Sequence, residues 1–407
     1  MSAQASASDI VARLDAAYGD APRPIALHEP DLSGREAEYL KACVDEGWVS
    51  TGGRFVTRFG ELLGEVIGTP NIVPTSTGTA ALHAALILAG VGPGDEVLCP
   101  SLTFVATANA IAYQHASPHF IDCEPNSLGV DPKKLEAYLA SICDMEAGVA
   151  VNRMTGRPLR ALIAVHVFGH PCDIRALRRI ADAYGLALIE DAAEALGSRS
   201  GDTPLGRFGD FAAFSFNGNK IVTAGAGGAL ACRREEDAAR ATHLTTTAKQ
   251  PHKWAFEHDE VGYNYRLSNL NAAIGVAQLE RLDSQLADKR ALADTLRIAL
   301  SDLPDVEFFA EPERGASNYW LNALRLKTPD LQVRDQILDA AHASGLLCRP
   351  VWTPMHHLPM FSDAPRMPDL AETEAAHAAL VNIPSSAALN AHAVAPKRVV
   401  NHTLMQP

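Results

Sequence analysis

The chain is short of positive charge. Against 48 Asp and Glu it sets only 35 Lys and Arg in 407 residues, a net charge of −13. With no basic run to neutralise phosphates or anionic headgroups, neither nucleic acid nor a membrane surface is an expected partner. Cysteine is sparse and unpatterned: seven residues, at 43, 99, 123, 143, 172, 232 and 348, with no C-x-x-C. An odd, scattered set excludes a disulfide framework and a zinc ribbon and fits a reducing compartment. Internal repeats and low-complexity tracts are absent. The opening MSAQASASDIVARLDAAYGD lacks the basic start and apolar run of a secretory signal, so the expected location is the cytoplasm. Residues 72–94 and 97–121 carry no charge, yet both contain Pro and several Ser, Thr, Asn, Gln or His that lipid would leave unsatisfied. Buried protein interior is the expectation for both.

What remains is enough for a sizeable core: 47% hydrophobic and 20% charged residues. Residues 8–18 carry Ile10, Val11, Leu14 and Tyr18 on one stripe, the pattern of a short amphipathic helix, set apart by Pro22 and Pro24. Short apolar runs then alternate with helical patterns. EVLCP (96–100), HFID (119–122), LIAVHVF (162–168), LALIED (186–191), FAAFSF (211–216) and GGALAC (227–232) read as buried strands. Helices are expected over 78–89, 104–115, 132–141 and 173–184. Continuous apolar strands separated by helices predict an α/β fold with a mostly parallel sheet covered on both faces. The rhythm changes after residue 250. Residues 269–300 form one long helical pattern, followed by VEFF, LNALRL, a helix near 333–345 and a Pro-rich stretch. The expected division is a helical arm over 1–24, a large domain over 25–250 and a smaller α+β domain over 251–407.

Four places carry chemistry. Asp191 ends the run LALIED, where ligands bind in open α/β sheets; an Asp there also caps helices, and taken alone the cap is the better reading. Lys220 stands alone in the apolar, Gly-rich FSFNGNKIVTAGAGGAL. A desolvated lysine becomes the amine nucleophile that Schiff-base chemistry needs. TSTGTAALHAAL (75–86) leads small hydroxyl residues and Gly78 into a helix, so its N-terminus is a candidate phosphate site with Thr77 and Thr79 as added donors. The fourth, GYNYRLSNLNAAIGVAQLERL (262–282), sets polar and aromatic residues before a helix. GAGG (225–228) is no dinucleotide fingerprint, because Leu230 stands where the last Gly belongs. His166, His170, Cys172 and Asp173 match no metal-site spacing, and His356–His357 reads as a loop pair facing substrate or serving structure. No metal is expected.

In order and spacing these segments resemble the sugar-nucleotide aminotransferases of the DegT/DnrJ/StrS type, from about Ile25 to about Ser386. The resemblance rests on GWVSTGGRFVTRFGELL, STGTAALHAAL, PGDEVLCPSLTFVATANAI, LIEDAAEALGS, FSFNGNK…GAGG, GYNYRLSNLNAAIGVAQL, RPVWTPMHHLP and VNIPSS. It implies fold type I and pyridoxal 5'-phosphate as cofactor. It places Lys220 at the Schiff-base position and Asp191 at the pyridine nitrogen. Gly78, Thr79 and Ser215 match the phosphate ligands, and Phe104 the aromatic that stacks on the ring. Asn264 matches an Asn that reaches the phosphate of the neighbouring subunit, which implies a homodimer with shared sites. Tyr319, Arg349 and His356 are candidate substrate contacts by position.

Two features depart from the commonest pattern: Glu194 replaces a Gln or His facing the cofactor's phenolic oxygen, and NGNK precedes the lysine where a His is common. A carboxylate there repels a phenolate, so Glu194 is expected to hold a proton or to donate through water. Both features look like the branch that makes 4-amino sugars for bacillosamine and legionaminic acid. That branch implies L-glutamate as donor and a UDP-linked 2-acetamido-4-keto-6-deoxy hexose as acceptor, for cell-surface glycan. GDP- or dTDP-linked 3- or 4-keto sugars are the alternative. A sugar dehydratase on the same scaffold would carry His in place of Lys220. A non-catalytic cofactor-binding regulator would carry a DNA-binding segment or a damaged lysine.

Overall fold

A computed structural model describes residues 6–313 and 315–394. The main sheet holds β1 (Ile72–Thr75), β2 (Glu96–Pro100), β3 (Ser117–Ile121), β4 (Cys143–Glu146), β5 (Val149–Asn152), β6 (Arg157–Val165) and β7 (Ala187–Asp191), with β10 (Phe211–Ser215) and β11 (Gly228–Cys232). Its order is β1-β11-β10-β7-β6-β2-β3, and β5 and β4 extend from β6. The run β10-β7-β6-β2-β3 is parallel. β11 is antiparallel to both its neighbours. A small ribbon joins β8 (Arg199–Ser200), β9 (Thr203–Pro204) and β13 (Gly315–Ala316).

Two cores flank the main sheet because its strands are apolar on both faces. One lies under α2 (Glu36–Asp45), α3 (Arg54–Ile67), α6 (Pro132–Ile142) and α7 (Ile174–Tyr184), with Phe59, Leu63, Leu139, Leu177 and Phe216 buried. The other lies under α4 (Gly78–Leu88) and α5 (Val105–Tyr113), against α8 (Glu235–Thr245). α4 is buried almost throughout, from Gly78 to Leu86. Its amphipathicity is weak because protein surrounds it.

The single helix expected over 269–300 is two: α9 (Asn269–Leu279) and α10 (Leu282–Leu300). Arg281 leaves helical geometry at φ −111° and ψ 4°, and its guanidinium reaches Asp31 at 2.7 Å. The break lets the two helices serve different cores. Ala272, Ala273 and Val276 of α9 join the first core, while Leu292 and Leu296 of α10 join a third. The boundary drawn at residue 250 therefore falls ahead of a stretch that packs with the large sheet. The third core sits on a four-stranded sheet ordered β12 (Val306–Phe308), β14 (Asn322–Leu326), β16 (Leu380–Ile383), β15 (Arg349–Pro350), with α11 (Leu331–Ala343) and α12 (Ala371–Ala379). The N-terminal helix α1 (Ala7–Tyr18) begins at a capping box made by Ser6 and Asp9. It buries Ile10, Val11, Leu14 and Tyr18 in this third core of its own chain, and the Tyr18 hydroxyl donates to the Pro384 carbonyl at 2.8 Å. The hairpin β4–β5 and helices α2 and α3 were not anticipated, although α3 carries Phe55, Phe59, Leu63 and Ile67 on one buried stripe at helical spacing.

Within β7, Glu190 is fully buried. Its carboxylate accepts the backbone N–H groups of Gly206, Phe208 and Gly209 at 2.7–2.8 Å and faces His166 Nε2 at 3.1 Å. It closes the 205–210 turn onto the sheet. Glu190→Ala leaves these three donors and the fully buried His166 Nε2 without their partner. A loss of about 3–5 kcal/mol is expected from urea unfolding.

Candidate active site

The carboxyl ends of the parallel strands open into one cavity of about 340 Å³. Thr103 and Phe104 follow β2, Val165 ends β6, Asp191 ends β7 and Ser215 ends β10, and all five line it. This is where an open α/β sheet binds ligands. Gly78, Thr79, Glu194 and Lys220 complete the set that the sequence singled out.

The cavity has a donor end. Thr77 caps α4, accepting the Ala80 N–H at 3.0 Å. The N–H groups of Gly78 and Thr79 lie in the first turn and have no intrahelical acceptor. They point where the helix dipole favours an anion. Gly78 is dictated by packing: a Cβ there would stand 2.8 Å from Ser215 Cβ. Only glycine lets the helix end press onto β10.

Asp191, 6% exposed, lines the same cavity. Oδ2 accepts the Thr107 hydroxyl at 2.7 Å and Oδ1 the Ala193 N–H at 3.2 Å. Thr103 and Thr107 are in turn 2.9 Å apart, oxygen to oxygen. Burial raises the Asp191 pKa, with the Thr107 bond and the Lys220 charge working against it.

Lys220 Nζ lies 3.9 Å from the centroid of the Trp320 ring and 3.5 Å from Glu194 Oε1. Trp320 is fixed in turn, its indole N–H donating to the Asn219 carbonyl at 2.7 Å. Glu194 also accepts the Phe168 N–H at 2.9 Å. Phe168 holds φ 57° for this contact, a left-handed conformation that a non-Gly residue seldom adopts. Burial pushes the Glu194 carboxyl up to about 7, against the pull of Lys220. Near neutral pH the carboxyl of the cofactor-free chain is therefore partly protonated.

Phe104 lines the cavity at its rim and is 54% exposed. The remaining positions fall elsewhere. Asn264 is exposed, bridged to Thr246, and does not line its own chain's cavity. Tyr319 is buried against His170, Arg349 is exposed on β15, and His356 is engaged by Ser101 and Glu374. None of these three lines the cavity. Sequence reasoning missed Thr107, Trp320 and Trp352, which do. Trp320 stands beside Tyr319, so the position was one residue out. The His166 cluster is structural: Asp173 caps α7 and His170 packs on Phe309 and Tyr319.

A partly buried amine, a buried carboxylate and a helix N-terminus suited to an anion around one cavity are the parts that a pyridoxal-phosphate enzyme of fold type I requires. The chain belongs to the DegT/DnrJ/EryC1/StrS aminotransferase family, whose model matches residues 30–403. It is a pyridoxal-phosphate-dependent sugar aminotransferase. A Bacillus subtilis relative, the putative pyridoxal phosphate-dependent aminotransferase EpsN, is 38% identical over 84% of this chain and 85% of its own. The GDP-perosamine synthase of Caulobacter vibrioides is 35% identical over 91% and 95%. Among solved structures, the aminotransferase TlmJ from Streptoalloteichus hindustanus superposes with a TM-score of 0.79 at 28% identity, over 88% and 93% of the two chains. Among the described residues no helix is long and apolar enough to cross a membrane.

Glu194 supplies a pH test. Its folded pKa of about 7 lies above the ordinary 4.5, so its contribution to stability is full below about pH 4.5 and is lost as pH rises through 7. The cofactor-free wild type should lose stability relative to Glu194→Gln across that window. Parallel pH profiles of the urea midpoint check it.

Proposed function

We propose that this enzyme moves an amino group from L-glutamate to C4 of a GDP-linked 4-keto-6-deoxy sugar. The observation that carries the aminotransferase chemistry is the Lys220 amine, set in the cavity between Glu194 and the Trp320 ring. The GDP link is supported by the perosamine synthase relative, which matches nearly the full length of both chains. It replaces the UDP-linked acetamido sugar that the bacillosamine branch implied.

The residues fit the cofactor. The Gly78 and Thr79 N–H groups and the Ser215 hydroxyl would hold its phosphate, brought together because glycine at 78 lets the helix end pack directly on Ser215. Asp191, with Thr107 and Ala193 fixing its two oxygens, would keep a proton on the pyridine nitrogen. Phe104, exposed at the rim, would cover the ring. When bound, pyridoxal phosphate supplies the electron sink that lets the amino group leave one carbon and later join another.

The chain's own residues do the rest. Lys220 Nζ takes the proton from Cα of glutamate in one half-reaction and returns one to the sugar's C4 in the other. Glutamate leaves as 2-oxoglutarate, and the ketone becomes an amine. One base serves both halves because both proton transfers occur at one place. Glu194 and the Trp320 face hold the free amine near that place. Trp320 and Trp352 wall the cavity and limit water. A homodimer completes the proposal: Asn264 is exposed beside Val261, which is 84% exposed, and serves the cavity of a second copy.

Two measurements test this. With L-glutamate and a GDP-linked 4-keto-6-deoxy sugar, the wild type should form amino sugar faster than with the UDP- or dTDP-linked analogues. Preference for a UDP-linked acceptor would overturn the GDP assignment and leave the transaminase intact. Lys220→Ala should lower turnover by about 10²–10⁴-fold or more while the folded chain persists by circular dichroism.

A further inference from the structure

His356 and His357 lie on the short 3₁₀ turn Met355–His357, where the sequence showed only a loop pair. The fold brings Glu374 of α12 against them. His356 Nε2 and His357 Nε2 approach the same oxygen, Glu374 Oε1, at 2.9 and 2.8 Å. The three ligand atoms all lie within 4.8 Å of one another. Two imidazoles thus crowd one carboxylate oxygen.

The first imidazole is braced from behind. His356 Nδ1 lies 2.7 Å from the Ser101 hydroxyl, immediately after β2. A ligand histidine held through its other nitrogen is the usual outer-shell arrangement of a metal site. His377 lies one turn beyond Glu374 on the same face of α12. Its ring is 6.3 Å from that of His357, and its Nδ1 is buried without a hydrogen-bond partner. A second trio, His243, Asp259 and Glu260, has the same ligand count. There Arg240 grips Glu260 through both guanidinium nitrogens, so a cation already occupies the carboxylate.

We propose that His356, His357 and Glu374 form a site for a divalent transition metal of the zinc class. Two imidazoles and one carboxylate match that class in ligand type, and three protein ligands leave a coordination position open. Bound metal would tie the 355–357 turn to α12, close to Trp352 in the cavity wall. The site is separate from Lys220 and does not depend on which sugar is aminated.

The test uses the holoenzyme, stripped of metal with a chelator, dialysed and titrated with Zn²⁺ by calorimetry. One ion per chain is expected for the wild type and for His243→Ala. Glu374→Gln and His357→Ala should each weaken binding at least about tenfold, and Ser101→Ala by about 10–100-fold through the outer shell. No uptake by the wild type would overturn the proposal. So would equal uptake, at equal affinity, by a variant carrying both His357→Ala and Glu374→Gln; the exposed positions of both side chains keep that variant's fold intact.

Discussion

Asp191 puts a carboxylate at the end of a strand that is buried on both faces, and most of the site can be understood as what that position demands. A buried carboxylate without partners would take up a proton. Here Thr107 and the Ala193 N–H each occupy one oxygen, and Lys220 supplies positive charge nearby. Thr107 is available because α5 begins just after the strand end, and Thr103 lies next to it. A cofactor carrying a protonated ring nitrogen is the natural partner for what remains.

The same economy governs the other half of the cavity. Glu194 lies three residues beyond Asp191 and is buried as well. Burial raises the pKa of both carboxyl groups, and the Asp191 charge raises that of Glu194 further. Lys220 is the one charge that lowers both. Its placement between Glu194 and an indole face therefore settles two problems: the amine has partners in the absence of substrate, and the acids have a counter-charge. The anion end needs no side-chain charge at all, since helix geometry and one glycine supply it.

Six strands of the main sheet, β2, β3, β6, β7, β10 and β11, were legible because their apolar runs are short, continuous and bounded by turns; β1, β4 and β5 were not. Lys220, Asp191, Gly78, Thr79, Ser215, Phe104 and Glu194 were legible as a set, and all line one cavity. Other features were hidden for physical reasons. The break at Arg281 carries no Pro or Gly; it arises because α9 and α10 pack on different cores. Trp320 and Trp352 come from the far end of the chain, so only tertiary packing brings them to Lys220. Tyr319 and Arg349 were placed by position in the sequence, and neither lines the cavity. Glu374 meets His356 through a contact between a turn and a helix 18 residues on, which no local spacing announces.

Lys220 is the amine proposed to hold the cofactor. Borohydride reduction of the holoenzyme, followed by proteolysis and mass spectrometry, reads this directly. The pyridoxyl group should map to Lys220 in the wild type and be lost in Lys220→Ala. A label fixed on another lysine, or a wild type that binds pyridoxal phosphate yet yields no reduced adduct, would contradict the assignment of this cavity as the catalytic centre.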